Sequence, residues 1–368
     1  MQPTVVLVAG ARPNFVKAAA LLRALDAAGR PLEPLLVHTG QHSDDGMSGA
    51  FFRDLGIPDP AVRLGVGPAA TGERTGRMAA AAAAWMAALP GRPRGVVVVG
   101  DVDSTLAGAL AARSLGLPLA HVEAGLRSFD RTMPEEVNRV VADALSGLLF
   151  ATEEAGRVNL LAEGVPDAWI RVTGEVLADV ALRELPAARA AGVTAAEGLE
   201  GRAYALATLH RPANVDDPRR LADLVAFLVG VSERLPVVFP VHPRTRRRLE
   251  EAALLEALEG RPGLRLRPPL GYLEHLGLVV DAAVVLTDSG GLQAETSALG
   301  VPCLTLRGTT ERPSTVEHGT NTVAGDLALA SAALDEVLAG RGKRGGAVPG
   351  LDGQASERIV AALAEAWA

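Results

Sequence analysis

Acidic residues follow three stretches of the chain in a pattern suited to proton transfer. GDVDST places Asp101 after the apolar run VVVV, HVEAGLRSFD places Glu123 after another apolar run, and TMPEEVNR places Glu135 and Glu136 at a helix start. Carboxylates gathered in one crevice can be held in different protonation states, so that one serves as acid and another as base. Acids in a first helical turn also arise as simple dipole partners or caps, a reading that weighs most on Glu135 and Glu136. An all-oxygen Mg²⁺ site is the rival use of such a cluster. The histidine needed to join a mixed metal set is not obvious nearby, and the expectation is no metal.

A second group of residues suits an anion. ARPNFVK offers Arg12 and Lys17 where a helix begins, and TDSGGLQAET offers Ser289, Gly290 and Gly291 at another helix start. Small residues there let backbone N–H groups approach a phosphate while the helix dipole stabilises it, although tight packing alone would also favour them. The motif lacks the Gly-Lys-Ser/Thr ending of a P-loop. Glu295, one turn further on, is spaced to accept hydrogen bonds from ribose hydroxyls. ALATLHRPANVDDP supplies His210 and Arg211, VFPVHPRTRRR supplies His242 and Arg244, and LRGTTERPSTVEHGTN supplies Arg307, Glu311 and Arg312. A His-Arg pair directly after a strand suits a diphosphate, and Arg312 could grip one with two parallel hydrogen bonds. The run Arg246–Arg248 reads as a solvated helical face.

Nearly all of these residues fall at the ends of short β-rich runs. Runs 5–9, 35–38, 96–99, 119–122 and 148–151 read as buried parallel strands, and 15–28, 73–89, 104–115 and 134–145 as the helices between them. A second series repeats the alternation, with strands at 204–208, 237–241, 264–266, 283–287 and 303–306. Its helices are expected at 218–234, 245–258, 272–280 and 291–298, and 176–202 reads as a helix followed by a polar linker. Strands alternating with helices predict a doubly wound α/β sheet, here twice: two Rossmann-like domains, 1–175 and 176–355, facing each other across a cleft. Ligands bind beyond the carboxyl ends of strands in such sheets, where the polar motifs lie.

Composition supports this frame. The 368 residues are 48% hydrophobic and 21% charged, enough apolar material for two cores. A net charge of −7 argues against a nucleic-acid grip by bulk electrostatics. The single cysteine, Cys303, excludes an internal disulfide and any cysteine-rich zinc site, and it sits in the apolar run VPCLTL. MQPTVVLVAG has no basic leader region, and AAAAAWMAAL is too short and weakly apolar to span a bilayer. The expectation is a cytoplasmic protein with no membrane partner.

ARPNFVK, TGQH, GDVDST, HVEAGLRS, PEEVNR, TLHRPANVDDP, TDSGGLQAE and TTERP occur in the order and spacing of the non-hydrolysing UDP-N-acetylglucosamine 2-epimerases, which the chain resembles over residues 3–325. The resemblance implies a GT-B-type fold, a homodimer, an active site between the domains, and a last helix, 356–368, that crosses back onto the first domain. It implies a UDP-sugar substrate and no cofactor. The family eliminates UDP across carbons 1 and 2 to give 2-acetamidoglucal, then re-adds UDP with carbon 2 inverted. Carried over by motif, Asp101, Glu123 and Glu135 are the acid/base carboxylates, without a decision on which is acid and which is base. His210 stabilises the departing diphosphate. Arg12, Lys17, Ser289, Gly290, Gly291, Glu295 and Arg312 hold UDP.

Some members bind UDP-N-acetylglucosamine at a second, activating site. Gln41, His42 and Arg211 match part of that pattern, and Glu136 and His242 are grouped with them, although TGQHSDDGMSG lacks the longer segment of those members. The chain also departs from the family at Ala213 in HRPAN, at Ala294 in QAE, and at His275, which stands where an aromatic residue often lies near the uracil. Rival readings are a 2-epimerase of a related UDP-sugar of the diacetamido-uronic acid type, a GT-B glycosyltransferase, a hydrolysing epimerase, and a nucleotide-binding module without activity.

Overall fold

The structure, a computed structural model, describes residues 2–41, 52–67 and 71–368. The chain forms two compact units, Met1–Val180 with Pro349–Ala368, and Ala181–Val348.

The first unit is built on a seven-stranded sheet: β1 (Thr4–Ala9), β2 (Glu33–His38), β3 (Val62–Arg63), β4 (Gly95–Val99), β5 (Leu119–Ala124), β6 (Leu148–Ala151) and β7 (Ile170–Val172). Its order is β3-β2-β1-β4-β5-β6-β7, with every neighbouring pair parallel. All five residues of β4 are buried, which explains a run of valines with no polar alternation. Val8 pairs with Val37 on one side and Val98 on the other, and these join Val6, Val96 and Leu119 in the core. The helix Asp103–Ser114 lies close on this layer: a Cβ on Gly108 would come within 2.8 Å of Val98 Cγ1.

The second unit holds a six-stranded sheet: β8 (Ala205–Thr208), β9 (Val237–Pro240), β10 (Leu264–Arg267), β11 (Val284–Thr287), β12 (Cys303–Thr305) and β13 (Asn321–Val323). The order is β10-β9-β8-β11-β12-β13, again all parallel. Both sheets therefore have the doubly wound form expected from the alternation of elements. Strand order reverses between β1 and β4 in one and between β8 and β11 in the other. A crevice opens at such a switch point, beyond the carboxyl ends of the strands.

Several elements differ from the sequence reading. The first helix begins at Arg12, earlier than expected, because Pro13 presets a helical φ in its first turn. The expected helix 245–258 is two pieces, Pro243–Glu251 and Leu255–Leu258, separated at Ala253 by a φ of 52°. Part of the expected linker is a short helix, Val193–Ala196, entered through Gly192 at a φ of 63°. The chain ends in the helix Ala355–Trp367, which packs on the helix Arg12–Ala27 within the first unit. Among the described residues, no helix is long and apolar enough to cross a membrane.

Candidate functional site

In the first unit, Asp101 and Glu123 lie at the ends of the neighbouring strands β4 and β5. Asp101 follows β4, remains partly exposed and forms an ion pair with Arg139. Arg139 also reaches Glu136 at 2.9 Å, and Asn138 donates to the Asp101 carbonyl at 3.0 Å. Glu123 sits within β5 at a φ of 75°, where the register against β6 shifts between Val122 and Ala124. A non-glycine residue held in the left-handed region costs about 1–3 kcal/mol and persists only where its surroundings impose it. The bulge turns the Glu123 carboxylate onto Lys17, with which it forms a buried ion pair. Gly100 floors that pair: a Cβ there would meet Glu123 Oε2 and Lys17 Nζ, each at 3.1 Å. Glu135 is partly buried in the first turn of the helix Pro134–Leu145, a position that the helix dipole favours for an acid.

Lys17 directs its charge at a carboxylate of the protein, whereas Arg12 opens its helix and stays partly exposed. Gln41 accepts the Ser104 N–H at 2.9 Å and so caps the helix Asp103–Ser114. Glu136 is fully buried and holds the loop after β5, accepting from Ser128 N–H and Oγ at 2.9 Å and from Phe129 N–H at 3.0 Å. His42 lies outside the described residues.

In the second unit, His210 follows β8 and Asp288 follows the neighbouring β11. The Asp288 carboxylate is completely buried and lies 3.0 Å from His210 Nδ1. It also accepts the backbone N–H of His210 at 3.1 Å, that of Arg211 at 2.9 Å and the Asn214 amide at 3.1 Å. Burial alone would push Asp288 up, but the His210 charge and these hydrogen bonds outweigh it and hold the carboxyl at about 2. Asp288 therefore fixes the imidazole by Nδ1 and leaves Nε2 as the nitrogen that can address a ligand. His242 caps the helix Pro243–Glu251, accepting the Arg244 N–H on Nδ1 at 3.2 Å, and its ring centroid lies 5.7 Å from that of His210. Arg244 and Arg248 both pair with Asp216, which offsets part of the basic charge of that helix start.

Ser289 is the N-cap of the helix Gly290–Leu299, and Ser289, Gly290 and Gly291 are all partly exposed there. The space a Cβ on Gly290 would enter is faced by Glu311 Oε2 at 3.8 Å and Arg312 Nε at 3.9 Å. Arg307 binds Glu311 through two hydrogen bonds of 2.9 and 2.8 Å, so Glu311 does not bring an uncompensated negative charge to the helix start. Glu295 is buried and accepts a hydrogen bond from the Tyr272 hydroxyl at 3.1 Å. Burial first, and then Glu295, raises the Tyr272 pKa, which keeps that proton in place for donation. His275 is partly buried one turn beyond Tyr272, and desolvation lowers its pKa to about 4, so its ring is neutral near pH 7.

Arg139, Asp288 and Tyr272 went unnoticed in the sequence. Asp288 stood in a quoted motif, but its partner His210 is 78 residues away and becomes a neighbour only through the pairing of β8 with β11. An acid beside a glycine pair was the one available signal.

The comparisons with known proteins bear on the whole chain. A family model described as UDP-N-acetylglucosamine 2-epimerase matches residues 23–364. The chain belongs to this family. A UDP-N-acetylglucosamine 2-epimerase of Methanocaldococcus jannaschii is 40% identical over 362 residues, covering 97% of this chain and 98% of the relative. The UDP-2,3-diacetamido-2,3-dideoxy-D-glucuronate 2-epimerase of Pseudomonas aeruginosa is also 40% identical, over 98% of this chain and 99% of its own length. The crystal structure of the M. jannaschii epimerase in complex with UDP-GlcNAc and UDP superposes with a TM-score of 0.91 at 39% identity, covering 99% of this chain and 100% of that one. The fold of this family member is accordingly of the GT-B type.

Proposed function

We propose that this epimerase interconverts UDP-N-acetylglucosamine and UDP-N-acetylmannosamine by eliminating UDP across carbons 1 and 2 to give 2-acetamidoglucal and re-adding UDP with the configuration at carbon 2 inverted. The observation that carries the reading is the pair of carboxylates at the ends of adjoining strands, Asp101 against Arg139 and Glu123 against Lys17. Proton removal on one face of carbon 2 and delivery on the other require two positioned acid/base groups, and carboxylates at adjoining strand ends can supply them.

The second unit supplies chemistry for the leaving group. Cleaving the anomeric C–O bond places charge on UDP, and positive groups stabilise it as it develops. His210 backed by Asp288, the N-terminus of the helix Gly290–Leu299 and Arg312 are suited to that charge. Glu295, steadied by Tyr272, would take the ribose hydroxyls. Arg12 joins the UDP-binding set, and Glu135 joins Asp101 and Glu123 as an acid/base candidate. Gln41 and Glu136 are read as supports for the first unit's loops and not as ligands of an activating nucleotide. Arg211 and His242, beside His210, remain with the diphosphate. The protein is read as a cytoplasmic homodimer, which light scattering of the purified chain would check.

Proton NMR of UDP-N-acetylglucosamine with enzyme in D₂O tests the reaction. Deuterium should enter at carbon 2 as the manno isomer appears. Formation of free N-acetylmannosamine with UDP, or isomerisation without deuterium, would reject this mechanism. A second reading is favoured by the equal identity to the diacetamido-glucuronate epimerase: the same chemistry on a UDP-sugar carrying a carboxylate. Turnover of each nucleotide by the same preparation decides between them.

A further inference from the structure

Beneath the ends of β4 and β5 lies a buried chain of charges that takes no part in the reaction just described. His121, inside β5, is fully buried, with Nδ1 2.6 Å from Asp143 Oδ1 and Nε2 2.7 Å from the Gly100 carbonyl oxygen. Asp143, on the helix Pro134–Leu145, accepts the Gly125 N–H at 3.1 Å and pairs with Arg127 at 2.8 Å, both through Oδ2. Arg127 directs its remaining donors to the Leu126 carbonyl at 2.7 Å and to Glu163 at 2.8 and 2.6 Å.

The His121 ring thus ties the Gly100 carbonyl on one side to Asp143 on the other. Asp143 is completely enclosed; burial resists its ionisation, but His121 and Arg127 outweigh that and lower its pKa. A buried assembly of this kind adds little net stability over a well-packed apolar equivalent, so stability alone is a weak reason for it. Its attachment points are more informative. Gly100 immediately precedes Asp101, and Gly125 stands two residues beyond Glu123. Gly100, Glu123 and Gly125 are all left-handed, at φ values of 69°, 75° and 79°. The chain of charges thus grips the Gly100 turn that precedes Asp101 after β4 and the Gly125 turn that follows Glu123 at the end of β5.

We propose that His121, Asp143 and Arg127 form a positioning clamp that fixes the Gly100 and Gly125 turns and thereby aims Asp101 and Glu123. The inference rests on reading Asp101 and Glu123 as the reacting carboxylates. None of the three clamp residues is required to touch substrate; each acts through the backbone it holds.

Steady-state kinetics on UDP-N-acetylglucosamine test the clamp. Folded His121→Asn and Asp143→Asn should lose on the order of 100-fold in kcat with KM little changed, as expected when reacting groups are misplaced but binding is kept. Folded variants that keep kcat would overturn the clamp. Asp101→Asn and Glu123→Gln, run beside them, should each lose at least ~100-fold through the missing acid or base. If those two retain turnover, the carboxylate reading itself fails; if they lose it while the clamp variants do not, the positioning inference alone fails.

Discussion

At the scale of the residue, Asp288 makes the most testable statement. Its carboxyl is held at about 2 against an ordinary 3.8, so the folded protein favours the ionised form more than the unfolded chain does. Such a group stabilises fully above about pH 4, and its contribution disappears as pH falls through about 2. The shift corresponds to about 2 kcal/mol. Asp288→Asn should therefore unfold at lower denaturant than wild type at neutral pH, with the gap closing between about pH 4 and 2. Urea titrations across that range check it, and a gap independent of pH would refute the assignment. His275 acts in the same direction at a higher pH: burial has lowered its pKa to about 4, so the folded protein resists a charge that an unfolded histidine gains below about 6.5, and stability falls as pH drops from about 6.5 to 4. The individual acids and cations were visible in the motifs. Their pairings were not, because Lys17 and Glu123, like His210 and Asp288, meet only through the order of strands.

At the scale of the element, long apolar runs and helix periods were legible, and short edge strands were not. β4 announces itself because both its faces are buried, whereas β3, with two residues, and β13, with three, are too brief to carry a period. Gln41 was read as a possible nucleotide ligand because nothing in its local sequence points to Ser104, 63 residues further on. Its use as a helix cap depends on where the end of β2 falls beside the start of the helix Asp103–Ser114. The same junction depends on Gly10. A Cβ there would lie 2.0 Å from Thr39 Oγ1 and 2.7 Å from Ser104 Cβ, so the ends of β1, β2 and that helix must separate to admit it. Gly10→Ala should cost about 1–3 kcal/mol by overpacking, read as a lower Tm in calorimetry. An unchanged Tm would mean that the junction is looser than its geometry indicates.

At the scale of the whole molecule, the chain leaves the first unit within the helix Val176–Ala190 and re-enters it at Pro349. Asp179 secures the return: it accepts the Ala355 N–H at 3.1 Å, and the Ser356 N–H and hydroxyl, each at 2.6 Å. Further along, the Trp367 ring covers Gly95 so closely that a Cβ there would lie 2.6 Å from it. Asp179→Ala should cost about 1–3 kcal/mol and accelerate amide hydrogen exchange in residues 355–367, leaving exchange in residues 205–323 unchanged. Exchange in the last helix that stays at the wild-type rate would show that apolar packing alone holds it.

That return also sets an order of assembly. Residues 181–348 are continuous, so their sheet can close as soon as they leave the ribosome. Residues 1–180 must wait for residues 349–368, since the surface around Gly95 and the helix Arg12–Ala27 is completed only by the helix Ala355–Trp367. During translation that surface stays uncovered until the ribosome has made Trp367, and a chain stopped short of it would present that face of the first unit to a chaperone.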